Sequence, residues 1–379
     1  MTTVGILGGG QLARMMILAG APLGLSFRIY DPAPDACAGQ LAPLVNGAFD
    51  DLDALRDFAA SVDVITFDFE NVPASSIQAL AALRPVFPGA AALAVAQDRL
   101  AEKHLFQSLG IPLPAFADID SLTTLEAKVA QFGLPCILKT RRLGYDGKGQ
   151  FRIKQPADVA AAWQALGAQA ASVGLILEGF VHFDAEVSVV AARAADGQFR
   201  AWPVTRNWHV DGVLSASLVP CGLPAAVQEQ AIAHARAVAE HLDYVGVFAL
   251  ELFHCDGVLL ANEMAPRVHN SGHWTGDGAQ TCQFANHLRA GLGLPLGDTA
   301  VIGAACMLNW LGQMPDAAAV LAEPAGFWHD YGKLPRQGRK VGHANFRADT
   351  PALLAASLAR AGERLQRQVQ VAPVLAALG

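Results

Sequence analysis

The sequence predicts an α/β and α+β protein that opens with a doubly wound parallel-sheet domain. Two observations carry that prediction. From Val4 to Pro88, short apolar runs alternate with helix-forming stretches, the pattern of parallel strands joined by crossover helices. Beyond Asp98 the runs are broken by a glycine-rich loop at 144–150 and by a hairpin around Cys255-Asp256-Gly257, which fits an α+β region.

The elements follow in order. Val4 to Leu7 is a short buried strand, Gly8-Gly9-Gly10-Gln11 a tight turn, and Leu12 to Leu18 a helix. Ser26 to Tyr30 and Val62 to Phe67 are further strands, with a helix at Leu52 to Ala60 between them. Gln11, Asp31, Glu70 and Asn71 fall at strand ends, where ligands bind in such sheets. A boundary is expected near Pro88 to Asp98, then helices at Arg99 to Leu109 and Ser121 to Phe132, the second capped by Ser121 or Thr123 and stopped by Gly133. Strands are expected at Pro135 to Lys139, Gln150 to Ile153, Leu175 to Glu178 and Ala185 to Arg193, with a helix from Pro156 to Leu166. Ala225 to Leu242 is a long helix, and Thr281 to Ala290 a shorter one. The rest of the chain is expected to form a smaller unit of short strands and one helix, Pro351 to Ala361.

Bulk properties narrow the classes. A chain of 379 residues exceeds one ordinary core, so two or three domains are expected. A 53% hydrophobic and 16% charged composition describes a globular protein. The net charge of −7 offers no basic footprint for nucleic acid. No apolar run reaches the ~18 residues of a membrane span. The six cysteines are scattered without Cys-x-x-Cys spacing, which points to reduced thiols, a cytoplasmic setting and no structural zinc.

The chemistry concentrates at Glu251, Glu263 and the stretch Ala265 to Trp274. Two buried carboxylates on neighbouring strands need a cation between them or a shared proton. An oxygen-only pair suits Mg²⁺, with Mn²⁺ as an alternative, and Mg²⁺ commonly arrives with phosphates. The register decides the matter. A two-residue Asp256-Gly257 turn would set Asn262 opposite Glu251 and send Glu263 to the other face, because side chains alternate with period two. We therefore expect an odd-numbered loop, or a bulge with the same effect.

Other constellations support an anionic ligand. Gly144, Gly147 and Gly149, with Asp146, Lys148 and Gln150, form a loop whose backbone N–H groups can face a phosphate and whose motion can close a lid; it is not a P-loop. Glu178-Gly179-Phe180-Val181 ends a strand and offers donors and acceptors to an adenine edge, with Glu186 a carboxylate for ribose hydroxyls; taken alone, either glutamate reads first as a capping or surface residue. Arg267 is placed to clamp an oxyanion. His269, Asn270 and His273 read better as hydrogen-bonding residues than as zinc ligands. Lys333, Arg336, Arg339, Lys340, His343 and Arg347 form a basic cluster; a solvated basic face is the plain reading, but Gly338 and Gly342 bracket Arg339-Lys340 as in a loop shaped for a phosphomonoester. Gly8-Gly9-Gly10 lacks the dinucleotide fingerprint, which leaves a plain turn or another ligand at the strand ends, with Gln11 giving an amide.

With these residues assembled, the chain resembles the ATP-grasp superfamily and, within it, the 5-(carboxyamino)imidazole ribonucleotide synthetase family. The matching segments are Leu7 to Met15, Phe69 to Val72, Asp98 to Leu100, Gly144 to Gln150, Asn262 to Thr275 and Gly338 to His343. One departure is Asp68, where relatives often carry glutamate.

The resemblance implies three domains: an N-terminal Rossmann-like pre-ATP-grasp domain (1–98), a central ATP-grasp domain (99–298) with a mobile lid at roughly 112–180, and a small C-terminal domain (299–379). It implies ATP contacts from Arg99, Lys139, the 144–150 flap with Tyr145, Glu178, Gly179, Phe180, Val181, Glu186, His209, Asn262 and Glu263. Glu251 and Glu263 match Mg²⁺ ligands. Tyr145, Asp146, Arg267, His269 and Lys340 match catalytic positions, with Asp146 able to assist proton removal from the amine. Gln11, Glu70, Asn71, Asn270, Arg339, Lys340 and Arg347 match contacts to the other substrate.

The implied reaction is ATP- and bicarbonate-dependent carboxylation of the 5-amino group of 5-aminoimidazole ribonucleotide through carboxyphosphate. It gives 5-carboxyamino-1-(5-phospho-D-ribosyl)imidazole, ADP and phosphate in purine biosynthesis. The implied partners are these small molecules, without nucleic acid or membrane, in a homodimer. The rivals are another ATP-grasp ligase, such as a formate-dependent glycinamide ribonucleotide transformylase or a biotin carboxylase, and a nucleotide-binding regulator without catalysis.

Overall fold

The computed structural model describes residues 1–144 and 149–379. Its first sheet holds β1 (Thr3–Leu7), β2 (Ser26–Asp31), β3 (Leu44–Asn46) and β4 (Val64–Phe67) in the order β3-β2-β1-β4, all parallel. The chain winds one way from β1 to β3 and then places β4 on the other side of β1, so the strand order reverses between β1 and β4. That crevice is where such sheets bind ligands. The turn after β1 and the segment after β4 meet there. Asp68 fills the space: a Cβ on Gly8 (φ +95°) would lie 1.8 Å from Asp68 Oδ1, so only glycine fits. Asp68 Oδ2 accepts the Ala13 N–H (3.2 Å) near the start of the helix Gln11–Gly20.

A second, antiparallel sheet holds β5 (Phe116–Ile119), β6 (Cys136–Thr140), β7 (Gln150–Ile153) and β8 (Leu175–Gly179) in the order β5-β8-β6-β7. The helices Leu122–Phe132 and Asp158–Leu166 bury Leu125, Val129, Ala162 and Leu166 against its face. Ser121 caps the first by accepting from Thr124 N–H, and Gly133 (φ +78°) ends it, as the sequence suggests.

The third sheet has nine strands: β9 (Ala185–Arg193), β10 (Phe199–Ala201), β11 (Thr205–Val210), β12 (Val213–Val219), β13 (Gly246–Cys255), β14 (Val258–Ala265), β15 (Ala304–Leu311), β16 (Gly326–Asp330) and β17 (Lys340–Ala348). Its order is β14-β13-β9-β11-β12-β15-β17-β16, with β10 also beside β9. Here the structure corrects the sequence reading. Two of the three C-terminal strands are longer than expected, β15 and β17 having 8 and 9 residues, and β15 pairs with β12 so that they continue the central sheet. An open β12 edge would leave a row of backbone groups unpaired, and this pairing removes it. The helix at Pro351 runs on to Leu365, and a second helix, Gln368–Leu378, packs beside it.

Candidate active site

The hairpin β13–β14 settles the register. Cys255 pairs with Val258, so the turn has two residues, Asp256 (φ +47°) and Gly257 (φ +83°). Positive φ at both positions matches the tight hairpin turn that Asp-Gly favours. Parity alone would then separate the glutamates. A bulge intervenes: Leu252 pairs with Ala261, but Glu251 pairs with Glu263, which leaves Asn262 as the extra residue. The expectation of a bulge is met, and the odd-numbered loop is not needed.

The paired carboxylates line a cavity of about 480 Å³. Its walls bring together segments from all three sheets. Glu70 and Asn71 come from the first; Lys139, Gln150, Glu178 and Gly179 from the second; Glu186, His209, Glu251, Asn262, Glu263 and Lys340 from the third. Arg99, Gly144, Phe180, Val181, Arg267, His269 and Asn270 complete the predicted set on the wall.

At one end Lys139 Nζ lies 2.7 Å from Glu178 Oε2. Burial tends to raise Glu178, but the Lys139 and Lys103 ammoniums outweigh it and hold the carboxyl down at about 2. Arg99 Nη1 lies 2.7 Å from Glu263 Oε2 and lowers that carboxyl too, against the effect of burial. His209 Nδ1 lies 2.7 Å from Glu186 Oε2; burial works against its proton, while Glu186 and Glu251 favour it, and the net direction is upward.

At the other end Arg267 donates through Nε to Glu70 Oε2 (2.5 Å) and through Nη1 to Val268 O (3.1 Å). Gln97 fixes the Glu70 segment by donating to Glu70 O and Val72 O. His269 Nε2 lies 3.1 Å from Glu251 Oε1, and its Nδ1 lies 2.9 Å from Ser271 Oγ. Asn270 is 8% exposed, and neither amide atom has a hydrogen-bond partner among the described residues. A buried, unpaired amide on a cavity wall is costly unless a ligand satisfies it.

The remaining predicted residues are placed elsewhere. Gly149 and Gln11 do not line the cavity; the Gln11 amide oxygen accepts from Lys333 Nζ. Arg339 and Lys340 both act on Lys333, and Arg347 stands apart from them. Lys340 reaches the wall, Arg339 donates to Leu334 O (3.3 Å), and Arg347 donates to Asp277 O (2.8 Å). Lys340 and Arg347 sit at the two ends of β17, roughly 23 Å apart along an extended strand. Tyr145, Asp146, Gly147 and Lys148 lie outside the described residues.

Two residues escaped the sequence reading. Glu102 and Lys103, 2% and 1% exposed, lie on the helix Arg99–Ser108, and Glu102 lines the cavity. Glu102 accepts the Met264 N–H (2.6 Å), and Lys103 donates to Asn262 O (2.5 Å). Their spacing of three and four from Arg99 puts them near its face of the helix, the one signal that could have found them.

Three family models match successive parts of the chain. The ribonucleotide synthetase preATP-grasp domain matches residues 1–97, the ATP-grasp domain 104–284, and the phosphoribosylaminoimidazole carboxylase C-terminal domain 305–357. An N5-carboxyaminoimidazole ribonucleotide synthase of Pseudomonas aeruginosa is 51% identical over 94% of this chain and 97% of its own. The chain belongs to the N5-carboxyaminoimidazole ribonucleotide synthase family. It is thus an ATP-grasp ligase, and the three-part fold is that of solved family members. The Thermus thermophilus synthetase superposes with a TM-score of 0.91 at 50% identity, covering 96% of this chain and 98% of the other. The Aspergillus clavatus synthase, solved with ADP and 5-aminoimidazole ribonucleotide, superposes at 0.86 with 27% identity over 100% and 98% of the two chains.

Proposed function

We propose that this chain carries out its family's reaction in the 480 Å³ cavity, with ATP at the Lys139 end and 5-aminoimidazole ribonucleotide at the Arg267 end. The observation that carries this reading is the direct pairing of Glu251 with Glu263, between a cationic wall and an unpaired amide. The division into 1–98, 99–298 and 299–379 belongs to the same proposal.

Bicarbonate is a poor electrophile because hydroxide leaves poorly. Transfer of the γ-phosphoryl group of ATP to a bicarbonate oxygen gives carboxyphosphate and ADP. The amine then attacks the carboxyl carbon, or CO₂ released from it, and phosphate departs. Arg99 and Lys139 neutralise the phosphates, and Glu178 with Val181 receives the adenine. Glu186 accepts from the ribose hydroxyls, supported by His209. Arg267, held flat by Glu70, faces the developing oxyanion, while His269, Asn270 and Lys340 orient the second substrate. Asp146 assists loss of the amine proton. Exclusion of water keeps carboxyphosphate from hydrolysis, and close placement of the reactants is worth up to about 7–11 kcal/mol in favourable cases.

Magnesium fits the carboxylate pair. Both groups are oxygen donors, and the described residues contain no cage of three or more His, Cys, Asp or Glu side chains, so further oxygens would come from phosphates and water. Bound between Glu251 and Glu263, Mg²⁺ would neutralise charge on the transferring phosphoryl group. Mn²⁺ is the substitute of choice.

No helix among the described residues is long and apolar enough to cross a membrane, and all six cysteines are free; we place the protein in the cytoplasm, as a homodimer on the family resemblance. The decisive test is product analysis with ATP and labelled bicarbonate. ADP and phosphate release that requires 5-aminoimidazole ribonucleotide, with label in the product, supports the reading. Turnover with formate and glycinamide ribonucleotide, or with biotin, would replace it.

A further inference from the structure

The bulge that pairs Glu251 with Glu263 is held from outside the sheet. β14 is an edge strand, so the groups on its free side need partners from elsewhere. The helix Arg99–Ser108 supplies them at the bulge itself. Lys103 Nζ donates to Asn262 O, the carbonyl of the extra residue, at 2.5 Å. Glu102 Oε1 accepts the Met264 N–H, two residues on, at 2.6 Å. The two contacts flank Glu263, whose carboxylate meets Arg99 of the same helix at 2.7 Å. Lys103 Nζ also lies 3.9 Å from Glu178 Oε1, an oxygen with no hydrogen-bond partner among the described residues. One ammonium thus ties the bulge to the strand that carries Glu178.

An ordinary edge strand needs no such device. Burying a lysine and a glutamate is costly, and a backbone carbonyl and N–H could be satisfied by a loop, as Pro112 O does for the Ala261 N–H at 2.7 Å. Two adjacent buried polar side chains aimed at the residues on each side of Glu263 restrain the one irregularity on which the carboxylate pair depends.

We infer that Glu102 and Lys103 are positioning residues that clamp the β14 bulge and so hold Glu263 opposite Glu251 for metal binding. The inference rests on the reading of those glutamates as the Mg²⁺ ligands. It assigns no contact with a reacting atom to either clamp residue.

The test is Mn²⁺ binding to the ADP complex of the full-length protein, followed by electron paramagnetic resonance. ADP affinity is measured in parallel by calorimetry with metal chelated. Glu102→Leu and Lys103→Met are each expected to weaken Mn²⁺ binding about tenfold or more, the scale seen when outer partners of metal ligands are lost. ADP affinity without metal should move less than about threefold in Glu102→Leu, which leaves the contact between Lys103 and Glu178 in place. Glu102→Gln keeps an acceptor for Met264 N–H and should restore Mn²⁺ affinity to within about threefold of the parent. A Leu358→Ala variant, which opens the distant C-terminal core, is the control for lost stability and should bind Mn²⁺ normally. Unchanged Mn²⁺ affinity in folded Glu102→Leu overturns the clamp, as does failure of Glu102→Gln to differ from it. If Lys103→Met does not fold, the Glu102 pair decides the question alone. Glu263→Gln separates the two levels of argument: if it binds Mn²⁺ as the parent does, the metal reading itself falls.

Discussion

Glu251 stands directly opposite Glu263, although the turn joining their strands has two residues and parity alone would part them. The Asn262 bulge reconciles a favourable Asp-Gly turn with a shared carboxylate site. In the proposed reading the two side chains hold one cation, so their effects cannot be independent. Glu251→Gln and Glu263→Gln are each expected to lower kcat by about 100-fold or more, comparable to removing one preorganised charged group at a reacting centre. The double variant should be little worse than either single one. Additive losses in a double-mutant cycle would mean that the two carboxylates act separately.

Arg267 touches Glu70 through Nε and the backbone through Nη1, so its plane is fixed on two sides. Lysine keeps the charge and loses that geometry. Arg267→Lys should therefore reduce kcat by about 100-fold while leaving the KM for ATP within about threefold, because the proposed reading assigns ATP to Lys139 and Arg99. Steady-state kinetics with each substrate varied in turn checks this. A rise in the KM for ATP as large as the loss in kcat would place Arg267 at the wrong end of the cavity.

The sequence was legible where physics is local. The apolar runs of β1 and β9, the Ser121 and Gly133 stops, and the cluster from Asn262 to Asn270 each carry their signal within a few residues. The sequence reading assigns no element to the strands β11 and β12 for a different reason. In β11 and β12, Asn207 and Ser217 are buried polar residues that bond each other (2.8 Å), and Asn207 also bonds Ser188 (2.9 Å), so the period-two hydrophobic pattern fails there. Glu102 and Lys103 were invisible for another reason. Their partners are backbone atoms of Met264 and Asn262, and a backbone atom leaves no mark in composition.

Asp68 gives a pH test. Burial and the nearby Asp31 raise its carboxyl, the Ala13 N–H, Arg267 and Lys333 oppose them, and the balance lies at about 6 against an ordinary 3.8. A raised carboxyl means that between those values the folded protein binds more protons than the unfolded chain. Stability therefore falls as pH rises through the window, by about 3 kcal/mol in total, and is flat above it. Asp68→Asn keeps an acceptor for Ala13 N–H and removes the charge. Its gain in unfolding free energy over the parent should be present at about pH 5 and roughly double by about pH 7.5. Denaturant melts of the ligand-free protein at the two pH values check it; a gain independent of pH would mean that Asp68 is ionised throughout.

Asn270 offers a separation of stability from function. In the ligand-free protein its buried amide has no partner among the described residues, and such a group costs about 1–3 kcal/mol. Removing it discards that cost and opens a small gap, and the two roughly cancel. Asn270→Ala should then melt within a few degrees of the parent. The ribonucleotide complex is different, because there the amide is expected to be bonded and its loss leaves ligand groups unsatisfied. The KM for 5-aminoimidazole ribonucleotide should rise about tenfold or more, with ADP affinity unchanged. Thermal melts with and without the ribonucleotide read both quantities at once: the ligand-induced rise in Tm should shrink in the variant while the ligand-free Tm holds. A ligand-free Tm that drops sharply would show that the amide is satisfied within the protein, and the substrate contact would lose its basis.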